Sequence, residues 1–399
     1  MHLRARLFGI GTAALTAIPL ALLGPAATAS NAATLPAQAT AHSCATAQAG
    51  AASCNAIVRT DIAPLRKASP NATPSGYGPS SLQSAYNLPS STAGAGRTVA
   101  IVDAYDDPTA EADLGVYRSQ YGLPACTTAN GCFKKIDQNG GTHYPRTNGG
   151  WAQEISLDID MVSAVCPNCH ILLVEAKSAS FADLGAAVNR AAATPGVVAI
   201  SNSYSGSDAA DSSYGAYYNH PGIALTASSG DSGYGAGYPA SSHYVTAVGG
   251  TSLTSASNAR GWTETAWSGA GSGCSSYNAA LSAAASFGTG CSMRAEADVS
   301  AVADPATGVA VYDSTSYQGR SGWLVFGGTS VSSPVIASVY ALAGNTSSID
   351  NNYPYTHSSS LWDVTSGSNG TCPTSQWCNA RAGWDGPTGL GTPNGVGAF

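Results

Sequence analysis

A single α/β domain built on a parallel β-sheet with helices on both faces is the fold this sequence predicts, and two observations carry the prediction. Four short runs, residues 97–103, 170–175, 197–202 and 223–228, are apolar and rich in β-branched side chains, as strands buried on both faces are. Helix-like stretches at residues 153–165 and 181–193 fall between them, the second with Phe181, Leu184, Val188 and Ala191 at helical spacing. Strand and helix alternation of this kind implies a parallel sheet covered on both sides. The first run ends in Asp103, which the strand delivers to a loop. No internal repeat is evident, and 399 residues suffice for one sizeable core plus short extensions.

Residues 1–29 read as an export signal, with Arg4 and Arg6 at the positive end, an apolar stretch over residues 7–23 and Ala27-Thr28-Ala29 as a small-residue cleavage site. Residues 30–75 are rich in Ala, Ser and Thr without periodicity and read as a short pro-segment or linker, with order beginning near Gly76. The domain proper is therefore expected over residues 76–399.

Ten cysteines suit an oxidising compartment, and they fall in close pairs: Cys44/Cys54, Cys126/Cys132, Cys166/Cys169, Cys274/Cys291 and Cys372/Cys378. Pairing between neighbours is the expectation. The Cys166-Pro-Asn-Cys169 spacing is open to a redox or zinc reading as well, although no second CxxC accompanies it. The formal net charge is -7 with 10% charged residues and no basic run, which argues against nucleic acid or an anionic membrane as partner. A chain with so few ionisable groups also accumulates little charge as the pH falls.

Phe326-Gly-Gly-Thr-Ser330-Val-Ser-Ser-Pro334 precedes an apolar helix-like run over residues 335–343. Glycines permit a tight strand-to-helix turn, and Pro334 suits a first helical turn. Ser330 then stands at a helix N-terminus, where the dipole and free N–H groups favour a nucleophile and the oxyanion it creates. A serine needs a base, and His143, His170, His220, His243 and His357 lack the His-Gly-Thr context of a subtilisin-type base.

Glu154 and Asp158 lie four residues apart, so on a helix both carboxylates project from one face, while Ile155, Ile159 and Val162 form the apolar side. Sharing a proton would raise the pKa of one of them into the range of a base; a solvated acidic helix face is the competing reading. Asp160 points away from that face and reads as a surface or capping residue. Asp231 lies in Ser-Gly-Asp-Ser-Gly just after a predicted strand. Kept neutral, it could donate to an oxyanion, although such a segment is also ordinary turn chemistry.

Together these segments resemble the sedolisin family, relatives of subtilisin in which a Glu takes the place of the catalytic His. The family's Glu-x-x-x-Asp helix matches Glu154 and Asp158, its oxyanion Asp matches Asp231, and its Gly-Thr-Ser-x-x-x-Pro nucleophile segment matches Ser330, in the same chain order. Residues 294–305 and Gly249-Gly-Thr251 are similar too, so the likeness runs from about Gly76 to Phe399. The resemblance implies a subtilisin-like fold and a secreted, acid-active endopeptidase in which Glu154, oriented by Asp158, takes the Ser330 proton while Asp231 and the Ser330 N–H hold the oxyanion.

It also implies one structural calcium ion, held by the side chains of Asp363 and Asp385 and the carbonyls of Val364, Arg381 and Gly383; Arg381 stands where the family usually has Gly. Two further departures concern the short stretch before the domain, which leaves no room for a large folded pro-region, and the Asp103 segment, which is not the family's usual sequence. Protein or peptide substrates, no nucleic acid, no membrane once the leader is removed, and a monomeric state complete the expectation. Two rivals remain: a histidine-based protease using Asp103, His143 and Ser330, and an exported binding protein that keeps the fold without catalysis.

Overall fold

The computed structural model describes residues 39–65 and 74–399; the leader expected at residues 1–29 lies outside them. Strands β1 (Thr40–His42), β2 (Ser53–Cys54) and β3 (Ile57–Arg59) precede helix α1 (Pro79–Ala85). Strand β4 (Thr98–Ala104), helix α2 (Ala110–Gln120), strand β5 (Phe133–Asp137), helix α3 (Gly149–Val165), strand β6 (His170–Ala176) and helix α4 (Phe181–Ala192) follow. Next come strands β7 (Val197–Asn202), β8 (Tyr204–Ser207), β9 (Ala224–Ser228), β10 (Gly237–Tyr238), β11 (Thr246–Ser255) and β12 (Trp262–Ala266). Strands β13 (Val299–Val302), β14 (Val309–Tyr317) and β15 (Arg320–Gly327) lead into helix α5 (Thr329–Ala343).

The central sheet runs β12-β11-β9-β7-β4-β6-β5, with β13 also paired to β11. All its pairings are parallel except that of β11 with β12. The four apolar runs expected as strands are β4, β6, β7 and β9, and the two expected helices are α3 and α4. Helices α3 and α5 pack on each other and on the sheet, α5 against β7 and β9 and α3 against β4, while α4 covers the other face against β4, β6 and β7. A second, antiparallel sheet has the order β1-β3-β15-β14.

Periodicity understated α3. It starts at Gly149, because Asn148 caps it by accepting from the Gly150 and Trp151 N–H groups. It is buried on every side, since α5, α2, β4 and β14 surround it. Asp160, expected at the surface, is fully buried; its Oδ2 accepts from the Tyr312 N–H of β14 at 2.9 Å. One apolar face cannot be read from a helix that has no solvent face.

Order near Gly76 is the second expectation to be corrected: strands begin at Thr40. Val58 pairs with Phe326 and is 2% exposed, and the Cys44–Cys54 disulfide braces the loop between β1 and β3. Strands of two or three residues show no period of their own and exist only through their partners. All five disulfides join sequence neighbours as expected, and no free cysteine is left among the described residues. Cys166 and Cys169 are bonded to each other.

Candidate active site

Strand β15 turns into helix α5 through Gly327 and Gly328, and that turn sets the position of Ser330. Gly328 has φ +96°, and a Cβ there would collide with the Asn55 carbonyl oxygen and crowd Asp231 Oδ2, so only glycine fits. Helix α5 begins at Thr329, which puts Ser330 in its first turn with the positive end of the helix dipole at its N–H. Pro334 is therefore in the second turn, not the first. Its missing N–H removes a bond to the Ser330 carbonyl. The helix extends past the proline because the neighbouring serines find partners: Ser332 Oγ donates to Thr329 O, and Ser333 Oγ is hydrogen-bonded to Ser201 and Thr226.

Glu154 and Asp158 sit on one face of α3, as their spacing implies, and both are fully buried. Burial pushes the Glu154 carboxyl well above its ordinary range, Asp158 and Asp103 push it further, and the Ser330 hydroxyl pulls it down. Asp158 is raised by burial first and then by Asp103, and lowered by the nearby Ser203 and Glu154 side chains, although neither of its oxygens has a partner within hydrogen-bond geometry. Asp103, at the end of β4, is fully buried beside them and raised to about 8 by burial. Three carboxyl groups thus form a fully buried row from Asp103 through Asp158 to Glu154, next to Ser330. Like charges so placed share protons and cannot all ionise together. In the resting arrangement Ser330 Oγ donates to the Ser203 carbonyl at 3.1 Å.

Asp231 follows β9 and approaches from the opposite side. Its Oδ1 accepts from the Thr329 N–H and Oγ1, both at 2.8 Å, while Oδ2 is sealed from solvent with no partner. Burial raises this carboxyl to about 7 against the pull of the Thr329 bonds. In acid it carries a proton, which Oδ2 can direct at an oxyanion beside Gly328.

Of the four residues singled out for catalysis, all four meet here. Asp103, left aside at first, belongs to the same cluster; an acid ending a buried strand was the available signal. Ser203, Thr329 and Asn55 had no signal in the sequence, because their part is played by backbone carbonyls and short hydroxyls. None of the described histidines is hydrogen-bonded to Ser330, Glu154 or Asp158; His143 donates its backbone N–H to Asp137.

The residues expected to hold calcium also lie together. Gly383 N–H donates to Asp363 Oδ2 at 2.9 Å, and Arg381 N–H to Asp385 Oδ2 at 3.1 Å. Gly383 has φ +81° whereas Arg381 does not adopt a positive φ, so an arginine is no obstacle in that position. Burial raises Asp385 to about 7 and the Asp363 charge adds to it, a strain that a divalent cation would relieve. The donors fit a hard cation in kind, two carboxylates and backbone carbonyls. No group of three or more His, Cys, Asp or Glu is placed to hold a metal among the described residues.

No family model matches the chain. It is 29% identical over 369 residues to kumamolisin of Bacillus sp. strain MN-32, covering 82% of this chain and 64% of that protein, so it spans just under two thirds of the relative's length. Among solved structures it is similar to a Pseudomonas sedolisin, a serine-carboxyl proteinase complexed with two molecules of pseudo-iodotyrostatin. That match has 26% identity and a TM-score of 0.67 over 81% of this chain and 96% of the other. Sphericase shares the fold at 20% identity, with a TM-score of 0.51 over 80% of this chain and 98% of its own. By sequence and fold together, the chain is similar to kumamolisin and to the Pseudomonas sedolisin.

Proposed function

We propose that this chain is an exported endopeptidase that hydrolyses peptide bonds of protein or peptide substrates, acting as a single chain and best in acid. The observation that carries the reading is the juxtaposition of a helix-terminal serine with a buried carboxyl row on one side and an unpartnered carboxyl oxygen on the other. Glu154, held by Asp158, takes the Ser330 proton as the hydroxyl attacks a peptide carbonyl. The Ser330 N–H and the protonated Asp231 hold the oxyanion. Glu154 then gives its proton to the leaving amine, and water completes the cycle through the same steps in reverse. Asp103 stays protonated and keeps the negative charge of the row on Asp158 and Glu154.

The pH dependence follows from Asp231. Its proton is lost around 7, and an ionised Asp231 would repel the oxyanion instead of binding it. Hydrolysis of denatured casein between pH 3 and 9 is expected to peak below neutrality and to fall above pH 7. An optimum near pH 9 would rule the mechanism out. Export accords with five disulfides and with the absence, among the described residues, of a helix long and apolar enough to cross a membrane.

Calcium would be held by Asp363 and Asp385 with the carbonyls of Val364, Arg381 and Gly383, and its role there is to fix the 381–385 turn far from the chemistry. Bound cation keeps Asp385 ionised, so the effect grows as protons cease to compete. Chelation at pH 6.5 is expected to lower Tm by roughly 5 °C and to matter much less at pH 4. Equal Tm values with calcium and with chelator at pH 6.5 would refute the site.

A further inference from the structure

The groove in front of Ser330 is already filled by the chain's own residues. Strand β2 lies antiparallel on β8, with Ser53 opposite Ser205 and Cys54 opposite Tyr204, the arrangement of an extended peptide added to a sheet edge. The next residue, Asn55, continues the ladder: its N–H donates to the Ser203 carbonyl at 3.2 Å. That same carbonyl accepts from Ser330 Oγ, so the nucleophile and the Asn55 peptide unit share one anchor. The Asn55 carbonyl oxygen accepts from the Ser330 N–H at 3.4 Å and faces Gly328 together with Asp231 Oδ2. This is the place the mechanism reserves for an oxyanion.

The Asn55 side chain is matched as well. The residue is 5% exposed; Nδ2 donates to Ser228 Oγ at 2.7 Å, and Oδ1 accepts from Ser205 Oγ at 3.0 Å. A carboxamide offers one donor end and one acceptor end, and the pocket supplies one partner to each. A leucine there would leave Ser205 Oγ unpaired and Ser228 Oγ with only its 3.4 Å bond to the Asn202 carbonyl, and an aspartate would bury a charge with only hydroxyls beside it.

We propose that the site selects a short carboxamide side chain on the acyl side of the scissile bond through Ser205 and Ser228, and that the first bond so presented is this chain's own Asn55–Ala56. The proposal rests on the peptidase reading above. Ser330 Oγ bonds to the Asn55 carbonyl carbon as its proton passes to Glu154. The bond to Ala56 N breaks and that nitrogen takes the proton. Water then cleaves the Asn55 ester, leaving an Asn55 carboxyl group and restoring the Ser330 hydroxyl.

Connectivity suits release of the acyl-side piece. The Cys44–Cys54 disulfide closes within it and ties it to nothing else, so once the bond is cut residues 39–55 are held to the domain only by non-covalent contacts. Beyond the bond, β3 stays paired to β15 with Val58 buried. A new N-terminus at Ala56 therefore remains docked while the groove beside β8 is opened.

The test uses the full-length secreted protein, purified above pH 8, shifted to pH 4 and followed by intact mass and N-terminal sequencing. A chain beginning at Ala56 is expected, at a rate independent of protein concentration, with Ser330→Ala remaining uncut. Asn55→Leu is expected to slow the cleavage about ten-fold or more. A second measurement does not depend on that variant folding. Peptides differing only in Asn or Leu at the acyl-side position are compared by kcat/KM, with Asn favoured about ten-fold in the wild type and the preference lost in Ser205→Ala and Ser228→Ala. Casein digestion with Asn55–Ala56 intact, or a preference for Leu, would overturn the proposal and leave the peptidase reading standing. Failure to cut casein, peptides and its own chain at every pH would remove both.

Discussion

Replacing Ser330 by Ala is expected to reduce casein hydrolysis at pH 4 by about 10⁴-fold or more, and replacing Glu154 by Gln is expected to do nearly the same. The two losses should be similar because the residues act as one unit: a serine without a base and a base without a serine are equally idle. Gln fills the volume of Glu154 within fully buried α3 but cannot accept the proton. Its failure therefore tests chemistry more than packing. Asp231→Asn, which keeps a donor but cannot place it as a carboxyl does, should cost less, on the order of 10²-fold. His143→Ala should be without effect, because that side chain has no bond to the site. Glu154→Gln activity within a few-fold of wild type, with circular dichroism showing both folded, would eliminate the carboxyl base.

Stability is expected to be greatest in acid and to decline as the pH rises, the reverse of most globular proteins. Burial raises Asp103 and Asp313 to about 8, Asp231 and Asp385 to about 7, and Glu154, Asp158 and Asp160 well above their ordinary range. In the unfolded chain these groups titrate near 4. Between those limits the native state binds more protons than the unfolded state, so its stability falls with increasing pH. One carboxyl moved from about 4 to about 8 contributes on the order of 5 kcal/mol that is complete below pH 4 and gone above pH 8. Asp61, exposed and screened by solvent, and Asp137, held low by backbone N–H groups against the effect of burial, act in the opposite sense below pH 4. Tm, measured with calcium present, is expected to drop by at least roughly 10 °C between pH 4 and pH 8. A Tm maximum at pH 8 would show that these carboxyl groups are not sealed from water.

The five buried or part-buried ion pairs among the described residues do not offset this. Arg294 and Asp298, both fully buried, are bonded through two nitrogens and two oxygens, and Asp298 also accepts from Ala247 N–H and Tyr355 OH. That pair fixes the approach to β13 and carries no net charge. The acids of the site have no such partner, and burial therefore pushes their carboxyl groups up.

The sequence by itself determined the central architecture: β4, β6, β7 and β9 were legible because strands buried on both faces are unbroken apolar runs, and α4 because it has one wet face and one dry face. It also picked out the four side chains proposed to act, since Glu154 and Asp158 are local on a helix and the glycines around Ser330 and Asp231 mark turns that few other residues can make. Neighbour pairing of the cysteines was equally local. Only the tertiary structure decided what surrounds them. Asp160 became buried because β14 covers α3, a contact between residues 152 positions apart. Asp103 joined the site because β4 ends beside α3. β2 and β3 became strands, and Asn55 entered the groove, because their hydrogen bonds go to residues 203–228 and 326–330, and β1 in turn pairs with β3. Short strands and single serines carry no period of their own. Their structure comes from partners that the chain brings near only once it has folded.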